Sequence, residues 1–117
     1  MMSRHPRFMS LDQPIGLDTA IAADRLISGA PKAGSLPLSE NSDKKFYCGQ
    51  WAAETGSWRV SYTEEELCVI LSGAGKLIAE DGVEFAFKAG DAFVIPSGFT
   101  GIWSNAEPVR KIYAIVE

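Results

Sequence analysis

From Phe46 to the end of the chain, short apolar and β-branched runs alternate with Gly, Asp or Pro every six to ten residues. These runs cover residues 46–53, 58–63, 67–72, 75–80, 83–88, 92–95, 101–104 and 109–116. Such composition is typical of half-buried strands, and Asp81-Gly82 between two of the runs is typical of a tight hairpin turn. Since no helix-length segment separates the runs, the pattern predicts an all-β domain, an antiparallel sandwich or barrel.

The first 45 residues follow a different pattern, and they contain four of the chain's six prolines. Helical periodicity is brief and incomplete between residues 17 and 27. Residues 32–45 are rich in Ser, Gly, Pro and Asn, which predicts a loop. We interpret this part of the chain as an arm or a short edge strand that packs on the later strands. A segment without fixed structure is the alternative for this part of the chain, above all for residues 1–9.

Charge and composition narrow the classes of protein to which the chain can belong. Hydrophobic residues make up 46% and charged residues 22% of the sequence, values typical of a folded domain. The net charge of −4 disfavours binding to nucleic acid or to an anionic membrane surface. No apolar run approaches the roughly 18–20 residues of a membrane helix, and the N-terminus lacks the apolar core of a secretory signal. We therefore expect a cytoplasmic protein without nucleic-acid or membrane partners.

Histidine and cysteine are scarce in this chain. His5 is the only histidine, and the two cysteines, Cys48 and Cys68, are twenty positions apart. Transition-metal sites are built from clustered imidazole and thiolate groups, and His5 alone cannot form such a cluster. The cysteine spacing fits neither a CxxC pair nor a disulfide framework, so both cysteines are expected to be small buried residues in a reducing compartment. No metal and no other cofactor is expected.

One stretch has the spacing of the second cupin motif, which is Gly, five residues, Pro-x-Gly, two residues, His, three residues and Asn. The residues that agree are Gly90, Pro96, Gly98 and Asn105. The histidine position is occupied by Gly101. The presence of the glycines and the proline has a physical explanation, because these residues turn the chain at the two ends of a strand.

A second stretch resembles the first cupin motif, which ends in Glu, six residues and Gly. Glu66 and Gly73 match that ending. The two histidines of the motif would fall near Val60 and Tyr62, and neither of these is a histidine. Of the usual metal-binding set of three histidines and one glutamate, only the glutamate is present.

Further matches at residues 49–51, 56–62, 66–68, 99–103 and 108–113 make the chain similar to the small single-domain cupins akin to (S)-ureidoglycine aminohydrolase. The resemblance covers about residues 24–117. It implies a single antiparallel jelly-roll β-barrel of the RmlC-like cupin type over residues 24–117, with an N-terminal arm over residues 1–23. It fixes function less closely, since one fold hosts many activities.

Alternation along strands suggests which side chains face the interior of such a barrel. If Glu66 faces inward, Cys68 and Ile70 do so too, while Lys111 and Tyr113 share one face of the last run. The resemblance places this Lys-x-Tyr pair beside the barrel mouth. The predicted ligand-binding residues are Glu66, Lys111, Tyr113, Trp103 and Tyr62. A few polar groups on apolar walls suit a small ureido, amino or carboxylate metabolite.

Several alternatives stay open on the sequence alone. Glu66 and Lys111 can simply pair and hold two strands together, and the aromatic residues can be plain core. A metal-dependent, aminohydrolase-like enzyme would need atypical ligands, such as Glu66 with Cys68, Tyr62 or water. A structural or regulatory module with a filled barrel is the third interpretation, so catalysis is left undecided. In each case the resemblance implies a homodimer, since cupins of this kind commonly pair as dimers, and the arm can add a strand to a neighbour's sheet edge.

Overall fold

The computed structural model describes residues 4–117, and within that range every regular element is a β-strand. The strands are β1 (Thr19–Ala20), β2 (Leu26–Ser28), β3 (Lys32–Glu40), β4 (Phe46–Ala53), β5 (Gly56–Ser61), β6 (Glu65–Ser72), β7 (Ala74–Ala79), β8 (Glu84–Lys88), β9 (Ala92–Ile95), β10 (Thr100–Asn105) and β11 (Val109–Val116). All pairs between these strands are antiparallel. The predicted all-β class is confirmed.

The strands form two sheets that enclose one core. One sheet has six strands in the order β1-β3-β4-β11-β6-β9, and the other has five in the order β2-β5-β10-β7-β8. Successive strands such as β4 and β5, or β6 and β7, lie in different sheets, which is the crossing pattern of a jelly roll. The buried apolar side chains, including Trp58, Ile70, Ile95 and Trp103, come from both sheets. The jelly-roll prediction is therefore confirmed as well.

Each run predicted from residue 46 onward is a strand, and β4, β9 and β11 have the predicted bounds. The Asp-Gly turn between β7 and β8 also forms as predicted. The Asp81 carboxylate accepts a hydrogen bond from the Val83 amide at 3.0 Å, and Gly82 has a φ of +88°. That φ lies in the left-handed region, which glycine adopts without a steric penalty.

The prediction of a loop over residues 32–45 is wrong, because β3 covers most of that segment. β3 pairs with β4 from Ala33 opposite Ala53 to Glu40 opposite Tyr47. Such a ladder of long-range pairs outweighs local composition, and Pro37 sits where the register shifts, at an irregularity that tolerates its missing N–H. The weak helical periodicity of residues 17–27 is also misleading, since β1 and β2 lie there.

Part of the predicted arm forms an edge strand on the domain. β1 pairs with β3, with Thr19 opposite Ala33. Farther toward the N-terminus, the Ser10 carbonyl accepts a hydrogen bond from the Gln50 side chain at 3.0 Å. Residues 1–3 lie outside the described part of the chain, and the division into residues 1–23 and 24–117 stays a prediction. Within residues 4–117 no helix is long and apolar enough to cross a membrane.

Candidate functional site

A cavity of about 420 Å³ opens between the two sheets, and all of the predicted ligand-binding residues line it. These are Tyr62, Glu66, Trp103, Lys111 and Tyr113. The remaining wall consists of Ile21, Arg25, Ser35, Tyr47, Trp51, Trp58, Val60, Ser61 and Ile115. The structure thus brings the predicted set together at one place, while ligand binding itself remains a prediction.

Strand alternation sets which side chains reach this cavity. On β6, Glu66 and Cys68 are buried, whereas Leu67 between them is 43% exposed on the opposite face. On β11, Lys111 and Tyr113 face the same interior, and β11 lies between β4 and β6. The side chains of three adjacent strands therefore converge on one wall, as the period of two along a strand requires.

The polar centre of the cavity is a buried ion pair. The Lys111 Nζ lies 2.6 Å from the Glu66 Oε2, and the two side chains are only 7% and 8% exposed. The Cys68 thiol donates to the same carboxylate oxygen at 2.9 Å, and the Lys111 Nζ is 3.7 Å from the Cys68 Sγ. Removing two charges from water costs several kcal/mol per ion, so such a pair persists only with close contact and added hydrogen bonds.

Two indole rings surround the ammonium group. The Lys111 Nζ lies 4.5 Å from the Trp103 ring centroid and 4.8 Å from that of Trp51. These two rings meet edge to face, with centroids 5.8 Å apart. At these distances the negative ring faces attract the cation. The aromatic cage of the cavity is therefore filled by a cation that belongs to the chain itself.

Burial and neighbouring groups fix the protonation states of Lys111 and Cys68. Burial alone lowers the pKa of Lys111, but Cys68, Glu66 and Tyr62 raise it more, and the net pKa lies above the ordinary value. Burial raises the pKa of the Cys68 thiol to about 12. At neutral pH, Lys111 is an ammonium and Cys68 is a thiol, so Cys68 is not an activated nucleophile.

Two phenols offer hydrogen bonds that are not used within the described chain. Burial raises the pKa of Tyr62 to about 12, and burial raises the pKa of Tyr113 as well, so both remain protonated donors near neutral pH. Neither hydroxyl bonds to another residue of the described range. A Cβ added to Gly49 would lie 2.8 Å from the Tyr113 hydroxyl, so the bare backbone there leaves room for this ring.

Asn105, which matches the second motif, supports the cavity from behind. Its Oδ1 accepts a hydrogen bond from the Trp103 Nε1 at 2.7 Å. Its Nδ2 donates to the carbonyls of Glu54 at 3.2 Å and Ala53 at 3.4 Å. Since Asn105 is buried and fully bonded, its role is to hold the Trp103 indole in position.

The residues at the family's metal position do not fit a divalent cation. Glu66 Oε2 is already bonded to Lys111 and Cys68. A Cβ at Gly101, the histidine position of the second motif, would clash with the carbonyl oxygen of Ile78. In residues 4–117 no group of three or more His, Cys, Asp or Glu side chains is placed to hold a metal. Lys111 supplies the positive charge beside the glutamate instead.

Sequence reasoning missed several residues of the cavity wall. Trp51 on β4 and Trp58 on β5 face inward, as alternation with their neighbours could have shown had the facing sheet been known. Arg25 comes from the turn before β2, and no periodic signal marks it. Tyr47 also lines the cavity, but its hydroxyl is already bonded to the Glu64 carboxylate at 2.6 Å, and that bond raises the pKa of Tyr47 to about 12.

A second cleft, of about 520 Å³, lies at the other end of the sheets and is almost entirely apolar. Its walls come from β7, β8, β9 and the segment that follows β9. Phe85, Phe87, Phe93 and Phe99 dominate it, and Asp91 is its only charged lining residue. None of the predicted ligand-binding residues lies there.

Two facing antiparallel sheets in jelly-roll order, with the motif glycines at their turns, define a cupin. The EutQ-like cupin domain model matches residues 40–113, and the chain belongs to that family. No curated protein matches the chain. Membership of the ureidoglycine aminohydrolase group, which the motifs suggested, stays a prediction.

Solved structures support the same fold. A protein of unknown function from Pseudomonas syringae, of the DUF861 family, is 21% identical over 92% of this chain, with a TM-score of 0.82. The chain spans only 46% of that protein's length. The Clostridium difficile EutQ protein is 17% identical, with a TM-score of 0.65 over 74% of this chain and 63% of its own. A DUF861 family protein from Thermotoga maritima is 34% identical over 55% of this chain and 73% of its own, with a TM-score of 0.54.

Proposed function

We propose that the chain is a small-molecule-binding cupin that works without a metal ion, and that its ligand is a small ureido, amino or carboxylate metabolite. The observation that carries this proposal is the Lys111–Glu66 pair, 2.6 Å apart, in the wall of a cavity of about 420 Å³. The ammonium lies beside the glutamate of the first motif, where the family resemblance implies a metal. It offers a ligand oxygen a fixed positive charge on a buried side chain.

The bonding groups left over in the cavity support a small polar ligand. The hydroxyls of Tyr62 and Tyr113 are unbonded donors, and the Glu66 Oε1 makes no hydrogen bond within the described chain. A ureido group has a carbonyl to accept from the phenols or the ammonium and N–H groups to donate to the carboxylate. The likeness to ureidoglycine aminohydrolase favours that class among the three.

Tryptophan fluorescence tests the proposal directly, because all three tryptophans of the chain line the cavity. The purified protein is titrated with hydantoate, glycine and pyruvate, and its unfolding temperature is measured with each. We expect a saturable fluorescence change and a higher Tm with at least one of them, since a ligand that binds the folded state stabilises it. No response to any of the three would refute the proposal.

A pair of tyrosine variants locates the binding. Tyr62→Phe removes an unbonded hydroxyl from the cavity, whereas Tyr47→Phe removes one that is already bonded to Glu64. Loss of a ligand hydrogen bond of about 1 kcal/mol weakens binding about fivefold in Tyr62→Phe. Tyr47→Phe should bind as the parent does. Equal weakening in both variants would place the ligand elsewhere.

Metal analysis separates the proposal from a metal-dependent enzyme. Protein purified without chelators should contain less than stoichiometric metal, and ligand binding should be unchanged after dialysis against a chelator. A stoichiometric, tightly held divalent ion would overturn the metal-independent interpretation, because Glu66 with Cys68 or Tyr62 would then be its ligands. The fluorescence titration would still report whether the cavity binds a ligand.

The two cysteines fit the proposed cytoplasmic location. Both are free thiols, and Cys68 is fully buried, whereas Cys48 is only half-buried, contrary to the expectation that both are buried. Cys48 is opposite Ala114 and Cys68 is opposite Tyr113 in the ladders of β11. Neighbouring residues of β11 point to opposite faces, so the two thiols lie on opposite sides of the sheet and cannot form a disulfide.

A homodimer is part of the proposal. The outer face of the six-stranded sheet exposes Leu67, Val94 and Val116 by 43%, 56% and 52%, and Leu67 is directly opposite Val94. Glu65 lies on the same face, opposite Val116. A largely apolar sheet face of this kind can pair with the same face of a second copy about a two-fold axis. Light scattering should give twice 12.7 kDa for the parent and 12.7 kDa for Leu67→Lys. A parent mass of 12.7 kDa would refute the dimer.

A further inference from the structure

The cavity contains one charge that the chain does not neutralise. Its charged lining residues are Arg25, Glu66 and Lys111, and the last two form the buried ion pair. The Arg25 guanidinium has no hydrogen bond or ion pair with any residue in the described range. The cavity thus carries a net positive charge, although the chain as a whole has a net charge of −4.

The backbone of Arg25 is held in place at the cavity mouth. Its amide donates to the Ala22 carbonyl at 2.9 Å, and its own carbonyl accepts from the Arg59 amide on β5, also at 2.9 Å. The Arg25 side chain is exposed, whereas Lys111 at the polar centre is buried. One unpaired cation therefore lies at the rim of the cavity and one paired cation lies at its depth.

The same arrangement disfavours a cationic ligand. An aromatic cage normally attracts an ammonium group, but here Lys111 already lies against Trp51 and Trp103. A second ammonium would meet the positive charges of Arg25 and Lys111 without a free counter-charge, since Glu66 is already paired. Among ureido, amino and carboxylate ligands, the charges select against the amines.

We propose that the ligand of this cavity is a small carboxylate whose polar end reaches Lys111, Glu66 and Tyr62 and whose carboxylate is bound at the mouth by Arg25. This inference rests on the proposed function and narrows it to an anionic ligand class. A guanidinium matches a carboxylate with two parallel N–H···O bonds, which gives direction as well as attraction. Arg25 is then the residue that decides specificity for charge.

Three probes that share the ureido end and differ in charge at the other end test the inference. They are N-carbamoylglycine (hydantoate, an anion), N-carbamoylglycinamide (neutral) and N-carbamoylethylenediamine (a cation). Tryptophan fluorescence should give the tightest binding for the anion, about threefold to tenfold weaker binding for the neutral amide, and the weakest for the cation. Because Arg25 is exposed, this preference should shrink as salt concentration rises.

A matched pair of arginine variants assigns the preference to Arg25. Arg25→Gln should reduce hydantoate affinity to that of the neutral amide and leave the affinity of the amide unchanged. Arg59→Gln removes the same charge from a residue that is exposed but does not line the cavity, and it should change hydantoate affinity less than twofold. Arg25→Lys should retain part of the preference, as it keeps the charge but not the paired geometry.

The outcomes separate this inference from the proposed function on which it rests. Equal binding of the three probes, or equal effects of Arg25→Gln and Arg59→Gln, would overturn the role of Arg25 while the cavity remained a ligand site. No binding by any probe, together with no response to glycine or pyruvate, would overturn the proposed function itself. Tightest binding by the cationic probe would overturn the choice of an anion.

Discussion

The cavity beside the ion pair and the apolar cleft belong to one fold and one core, yet their lining residues differ in almost every respect. The cavity beside β11 contains a buried ion pair and two free phenols, whereas the cleft beside β8 and β9 is lined by phenylalanines. Trp103 connects them, because its ring lies 5.8 Å from Trp51 on the side of the cavity and 4.9 Å from Phe87 on the side of the cleft. A single indole thus separates a polar interior from an apolar one.

The cavity and the cleft each contain a feature that lowers the stability of the folded domain, and the two features differ in kind. Burying Lys111 and Glu66 costs free energy that only complete pairing offsets. The cleft has a different cost, since Phe85 leaves 55% of its surface in water and loses part of its hydrophobic stabilisation. The fixed polar groups of the cavity can orient a ligand by hydrogen bonds and charge. The exposed rings of the cleft offer apolar contact area but no hydrogen bonds that would orient a ligand.

The largest effect is expected from breaking the ion pair from one side. Lys111→Met leaves the buried Glu66 carboxylate without its counter-charge, which should lower the free energy of unfolding by about 3–5 kcal/mol. Phe87→Leu in the cleft removes a buried ring and leaves a small cavity, and it should cost about 1–2 kcal/mol. Urea denaturation of the parent and both variants measures the two costs.

A double variant separates charge from packing in this experiment. In Lys111→Met/Glu66→Gln no charge remains buried, so stability should recover by at least about 1 kcal/mol relative to Lys111→Met alone. Adding Glu66→Gln to Phe87→Leu should give no recovery. If the double variant is as unstable as Lys111→Met, the cost arises from lost packing around the lysine stem rather than from the unpaired charge.

The sequence predicts features of the site that depend on local patterns, but not those that depend on contacts between distant strands. Alternation groups Glu66 with Cys68 and Lys111 with Tyr113, and the family resemblance indicated that these faces point inward. The pairing of Glu66 with Lys111 was one of the interpretations that the sequence left open, but the distance between them and their burial depend on the register between strands whose residues are 45 positions apart, which no local pattern contains. Arg25 was missed for the same reason, as a turn residue acquires a role only when a sheet folds against it.

β3 and Asn105 show the limits and the reach of sequence patterns. The composition of residues 32–45 predicted a loop, but pairing with β4 makes most of it a strand, because strand formation depends on partners more than on propensity. Asn105 was found by motif spacing alone, and the structure gives the reason, a buried hydrogen bond to the Trp103 indole. Motif spacing therefore located a supporting residue whose task only the fold reveals.

Alkaline pH should lower the free energy of unfolding, because the groups with raised pKa values lie at the cavity and not in the cleft. The pKa of Cys68 rises from 9.0 to about 12 in the folded chain, so above about pH 9 the unfolded chain loses this proton first and the free energy of unfolding falls. The pKa of Tyr62 is raised from 10.0 to about 12, so Tyr62 lowers the free energy of unfolding further above pH 10. Lys111 also has a raised pKa, so its stabilising pair is fully present below 10.5 and is lost as pH rises through the folded value.

Each such proton difference corresponds to a slope of about 1.4 kcal/mol per pH unit. Urea denaturation between pH 8 and pH 10.5 should therefore show a declining stability, with a shallower decline in Cys68→Ala above pH 9. Cys48→Ala removes the other thiol of the chain, which lies on the opposite face of the sheet, and serves as the control for the loss of a thiol. A slope that Cys68→Ala leaves unchanged would mean that the thiol is accessible to water and titrates normally.

The smallest effect is expected at the rim of the cleft. Phe85 is opposite Leu77 on β7, but more than half of its surface is exposed, so Phe85→Ser should lower the free energy of unfolding by about 1 kcal/mol or less. The variant should also bind hydantoate as the parent does, because Phe85 lines only the cleft. A loss of more than about 2 kcal/mol, measured by urea denaturation, would show that the ring is covered in solution. If that loss grew with protein concentration, the cover would be a second copy of the chain, and the cleft rather than the outer sheet face would be its contact.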